Sequence, residues 1–173
     1  MRITVNSVAE ADEWLSSIRA ASEKTREWIL GHAGDGLSLL KALKFDAVGY
    51  HPVGNHNLNA IEQINQTFTY AVAITAAKEL LKRHPEANGF MLAPGADMNL
   101  PLDIMSVEPG LVGAETFASV DPRNNRKLAK DLAKLEDRTE QFRYVYFSSP
   151  LYPGSQRRKE LEKHGIQVWS VDV

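Results

Sequence analysis

Pro85 divides this chain into two regimes of hydrophobic periodicity, and that change most limits the folds open to it. Before it the pattern is helical. Ser7-Val8-Ala9-Glu10 is a capping box, and Trp14, Ile18, Ala21, Thr25 and Trp28 then recur at helical spacing. Gly31, Gly34 and Gly36 end that helix, and Leu37 to Leu43 reads as a short second one. Residues Phe45 to Asn59 form a loop rich in Gly, Pro, Asn and His. Asn59-Ala60-Ile61-Glu62 then opens a long helix to about Arg83, whose apolar face is read as Ile61, Ile64, Phe68, Val72 and Thr75. After Pro85 the runs are short, aromatic or β-branched, and punctuated by Gly and Pro. Strands are predicted at Gly89–Ala93, Leu102–Val107, Leu111–Val120, Tyr144–Phe147 and Ile166–Val171. Helices are predicted from Asn124 or Asn125 to Leu135 and from Gln156 to His164.

The resulting core order is α-β-β-β-α-β, followed by α-β. Three consecutive strands and then crossover helices imply an α/β fold with a mixed four- to five-stranded sheet flanked by helices. A length of 173 residues fits one domain, or one domain with an appendage. Residues 1–58 are read as a helical N-terminal extension that packs on the α/β core of residues 59–173 or mediates self-association, with Trp14 and Trp28 supplying apolar area.

Composition removes several chemistries. There are no cysteines, so disulfides, zinc–thiolate sites and thiol nucleophiles are excluded. No run of 18 apolar residues exists to span a bilayer, and Met1 to Asn6 lacks the apolar core of a secretory signal, so a cytoplasmic location is expected. Net charge is -2, which excludes a globally basic coat but not a local patch. Arg123 to Lys134 carries five bases against Asp131 alone. On a helical wheel Leu128, Leu132 and Leu135 fall within an arc of about 60°, and Arg126, Lys127, Lys130 and Lys134 within about 100° on the other side. The leucines are expected to dock on the sheet. The bases then face outward, where they can bind successive phosphates. Ser148-Ser149 has no nucleophile elbow around it, and the glycines form no phosphate-cradling loop.

The turn at Pro109-Gly110 carries the chemistry. A three-residue turn there sets Asp103 opposite Glu115, whereas a two-residue turn offsets them by one. In the first register the Cβ atoms stand about 5 Å apart on one face. Two carboxylates that close are tolerated if solvated, if one is protonated, or if a cation lies between them. Mg²⁺ or Mn²⁺ suits such a seat, with water and phosphate oxygens completing its shell.

The stretch Asn59 to Val171 resembles the PD-(D/E)XK nuclease superfamily. Pro101-Leu102-Asp103 resembles the family's first metal-binding acid, and Ala114-Glu115-Thr116-Phe117 its Glu-x-Lys. The helix Asn125 to Leu132 resembles the one after the family's active site. The resemblance implies a restriction-endonuclease-like core and metal-dependent phosphodiester hydrolysis of nucleic acid, DNA above all. Asp103 and Glu115 would hold Mg²⁺ or Mn²⁺, with Lys127 as the catalytic cation. Arg126, Lys130 and Lys134 would be nucleic-acid contacts, and Glu62 an acid supplied beside the metal. Phe117 stands where the family has its lysine. That departure implies either a lysine supplied by the next helix, Lys127 or Lys130, or a degenerate nuclease fold that serves as a binding or assembly module. A homo-oligomer or protein partner through the N-terminal helices completes the expectation.

Overall fold

In a computed structural model, residues 2–54, 56–94 and 100–173 are described. Among them the chain forms nine strands and four α-helices. The first strand, β1 (Ile3–Val5), was too short to announce itself. Its three residues alternate buried, exposed, buried. Helix α1 (Val8–Gly31) starts on the Ser7 cap, whose Oγ accepts from Glu10 N at 3.1 Å, while Glu10 Oε2 reaches back one residue beyond the cap to accept from Asn6 N at 2.8 Å. Helix α2 (Gly36–Phe45) is capped by Asp35. The expected loop beyond it contains a two-stranded hairpin, β2 (Gly49–Tyr50) with β3 (Asn57–Leu58). Helix α3 (Ala60–Arg83) is capped by Asn59, which accepts from Glu62 N at 2.8 Å. No helix among the described residues is long and apolar enough to cross a membrane.

The second half supplies β4 (Phe90–Leu92), β5 (Ile104–Ser106), β6 (Val112–Ala118), α4 (Lys127–Glu136), β7 (Phe142–Ser148), β8 (Gln156–Arg157) and β9 (Gln167–Ser170). Seven strands form one mixed sheet in the order β1-β4-β5-β6-β7-β9-β8, two or three more than expected. Both added strands lie at the edges. β1 pairs antiparallel with β4, so residues within the expected N-terminal extension belong to the main sheet. β8 replaces the start of the helix predicted from Gln156; only a 3-10 turn, Lys159–Leu161, remains of it. Side chains explain the change. Arg157 forks onto Glu162 at 2.6 and 2.9 Å, and Arg158 reaches Ser170 Oγ at 2.9 Å, which holds the segment against β9.

β6 and β7 are parallel, joined by α4 crossing over one face. That face carries Leu102, Phe117, Val145, Phe147 and Val168, on which Leu128, Leu132 and Leu135 dock as expected. The other face carries Phe90, Leu92, Ile104, Ala114, Tyr144 and Tyr146, covered by α3 and then α1. This places α3 between two layers and corrects its apolar face. Tyr70 to Ile74, Ala76, Ala77 and Leu80 are buried, whereas Ile61, Ile64 and Phe68 are half exposed. Small alanines let both the sheet and α1 approach the helix, so its buried half has no single stripe.

Candidate active site

β5 and β6 pair Ile104 with Ala114 and Met105 with Gly113. One step further, this register sets Asp103 across from Glu115, the arrangement a three-residue turn implies, although the connecting segment Val107 to Leu111 is longer. Gly113 makes room for the crossing: a Cβ there would stand 2.5 Å from Leu102 Cδ1. Side chains alternate along a strand, so Glu115 shares its face with Phe117 and looks toward α4.

Both acids are buried. Asp103 Oδ2 accepts from Thr116 N at 2.8 Å and from Thr116 Oγ1 at 3.1 Å, which fixes that carboxylate against β6. Glu115 Oε1 accepts from Lys134 Nζ at 2.6 Å. Burial, then the neighbouring Asp103 carboxylate, push the Glu115 carboxyl up to about 7 against the pull of Lys134. A third acid joins them. Asp131 Oδ1 accepts from Lys127 Nζ at 2.6 Å, while Asp131 Oδ2 is buried without a hydrogen-bond partner among the described residues. Burial also pushes the Asp131 carboxyl up, against the pull of Lys127.

These groups line one open cavity of about 460 Å³, with Thr69 from α3 and Lys130 from α4. Three acids thus face three lysines. Lys127 Nζ also lies 5.7 Å from the centre of the Phe117 ring, so the cation stands over the residue that occupies the motif's lysine position. Phe117 itself stacks on Phe147, with ring centres 5.6 Å apart, and belongs to the core.

The remaining expected site residues divide. Lys130 is exposed on the cavity wall. Lys134 does not simply face outward for phosphates; it turns inward onto Glu115. Arg126 is not on the helix. It precedes α4 in a left-handed conformation (φ 57°), after Asn125 (φ 53°), and lies outside the cavity wall. Glu62 is exposed at the start of α3 and does not line the cavity; the α3 residue that does is Thr69, almost two turns on. Asp131, Thr116 and Thr69 were not anticipated. The signal for Asp131 was present: on the wheel it falls between the leucine arc and the lysine arc, at the border of the face that docks on the sheet. Backbone pairing of Thr116 with a side chain left no trace in the pattern.

Among the described residues, no three His, Asp or Glu side chains cluster so as to hold a metal by themselves. Two carboxylates that repel each other, plus a buried orphan oxygen on Asp131, are nonetheless a donor set that suits a hard cation completed by outside oxygens. No family model, curated protein or solved structure matches the chain.

Proposed function

We propose that this chain is a metal-dependent nuclease or nuclease-like nucleic-acid-binding protein of restriction-endonuclease-like architecture. The carrying observation is the buried Asp103–Glu115 pair, the first just ahead of β5 and the second on the neighbouring β6, in one cavity with three lysines. The order α3, β4-β5-β6, α4, β7 supports the architectural part of the reading. Asp103 and Glu115 would hold Mg²⁺ or Mn²⁺. When bound, such an ion polarises a phosphate and lowers the pKa of a coordinated water.

The other roles belong to side chains of this chain. Thr116 aims Asp103 by donating two hydrogen bonds to one of its oxygens. Lys134 balances Glu115 by an ion pair of 2.6 Å, so it competes for the same carboxylate that would hold the ion. Lys127 offers positive charge for the negative charge that develops on a phosphate in the transition state. Lys130 meets the flanking backbone from the cavity rim.

A second reading rests on Phe117. Its burial in the core removes the cation of the motif, which favours a degenerate nuclease fold used for binding or assembly. Calorimetric titration with Mn²⁺ separates the two, run beside an Asp103→Asn/Glu115→Gln variant. The nuclease reading expects saturable heat that the double variant lacks, and then Mn²⁺-dependent cleavage of DNA. Equal, negligible heats in the presence and absence of DNA would sink it. DNA binding without divalent ions would then establish the second reading.

A further inference from the structure

The two N-terminal helices and the start of α3 leave an apolar surface uncovered. Ile29, Leu30, Leu43, Ile61, Ile64 and Phe68 line a groove of about 410 Å³ between α1, α2 and α3. Leu37 and Leu40 continue it as a ridge, since they sit six and three residues before Leu43 on α2. Seven of these side chains are 38–77% exposed. Half-exposed Leu, Ile and Phe present on the order of 100 Å² each, so the face offers on the order of 700 Å² of apolar surface. The largest apolar patch on a typical monomer is about 300–600 Å². A standard interface needs about 800 Å² per partner, rim included. Ser22, Thr25, Arg26, Gln63 and Thr67 line the groove too, and the buried Thr25 and Gln63 satisfy each other by a hydrogen bond.

We propose that this face is the interface with a second copy of the chain. Groove and ridge lie side by side on one surface. A two-fold axis between them seats each copy's Leu37–Leu40 ridge in the other's groove, so that one patch satisfies itself. A mostly apolar face of nearly the area one partner contributes to a standard interface is the kind of surface a homodimer buries. The interface also borders the acid–lysine cavity. Ile64 and Phe68 belong to the groove and equally to a recess of about 530 Å³ with Thr69 and Ala118, which line the cavity itself. The second copy therefore stands at the lip of the candidate active site. The dimer does not depend on the catalytic reading.

Sedimentation equilibrium or size-exclusion chromatography with light scattering tests it directly. The wild type at about 50 µM should weigh twice its 19.3 kDa. A Leu30→Glu/Ile64→Glu variant should dissociate at least a hundredfold more readily and run as a monomer at the same concentration, because four carboxylates would be desolvated per dimer. Both positions are exposed in the single chain, so far-ultraviolet circular dichroism of that variant should match the wild type. Leu151→Glu, exposed elsewhere, should leave the dimer intact. A wild-type monomer at 50 µM overturns the proposal and hands the face to a different partner. A dimer that survives Leu30→Glu/Ile64→Glu overturns it too, since the contact then lies elsewhere.

Discussion

Glu115 and Phe117 lie two residues apart on one face of β6, and their surroundings give them opposite roles. Phe117 meets Phe147 and the α4 leucines, so it packs. Glu115 meets Asp103 and Lys134, so it titrates. Its carboxyl stands at about 7 in the folded chain, against 4.5 for an unperturbed one. Between those pH values the folded state holds a proton that the unfolded state has released. The contribution of Glu115 to stability must therefore fall as pH rises from about 4.5 to about 7 and be constant on either side. The full shift corresponds to at most about 3 kcal/mol. Glu115→Gln removes the titration while costing Lys134 little, because that lysine is half exposed. The variant should then melt higher than the wild type at pH 8 and alike at pH 4.5, by thermal unfolding in metal-free buffer. Equal destabilisation at both pH values would show that Glu115 is held charged by Lys134. Mn²⁺ held as proposed would require the ionised Glu115 carboxylate, so titrations near pH 6.5 should release protons that titrations at pH 8.5 do not. Buffers of different ionisation enthalpy read that difference.

At the scale of elements, α4 joins the candidate site to the fold. Leu128, Leu132 and Leu135 anchor it on β6 and β7, and that anchoring brings Lys127, Asp131 and Lys134 to the acids. Leu132→Ala should cost about 2–4 kcal/mol in denaturant unfolding, the usual range for a buried leucine. Lys130→Ala should leave stability unchanged and lower the slope of log K against log salt for DNA binding by about one. An unchanged slope would mean that Lys130 makes no phosphate contact. The α4 stripe was legible in the sequence because a single helix against a single sheet keeps one apolar arc. The caps at Ser7 and Asn59 were legible because each is set by residues three positions apart, whereas the β5–β6 register was one of two that the sequence left open. What escaped depends on neighbours far along the chain. β1 and β8 are two or three residues long and exist only because β4 and β9 offer open edges. The true face of α3 is decided by α1 on its far side. Arg126 was counted as helical because propensity does not mark the left-handed pair Asn125-Arg126 that delays α4 to Lys127.

The whole molecule tests whether residues 1–58 are an appendage to the sheet or part of its core. Ile3 and Val5 are buried between β4 and the helices, and Ala11, Ile18 and Trp14 pack in the same cluster as Ala71, Ile74 and Leu80 of α3. Thr25 on α1 donates to Gln63 Oε1 on α3 at 2.5 Å, and Gln63 returns a bond to Ala21 O at 3.1 Å. Gln63 Oε1 also accepts from Tyr50 N at 3.1 Å, which ties the β2–β3 hairpin to the same point. A chain beginning at residue 59 would uncover one whole side of α3 and the hydrogen-bonding edge of β4. Each buried Ile or Val lost is worth roughly 1.5–3 kcal/mol, against a total of about 5–15 kcal/mol for a domain. The shortened chain should therefore fail to fold cooperatively. It should bind a hydrophobic dye and show no sharp thermal transition, whereas the full chain melts in one step. Exposed β4 would add edge-to-edge aggregation to that loss. A shortened chain with a sharp transition of its own would instead make residues 59–173 an autonomous core, and would reduce the first two helices to a platform for the second copy.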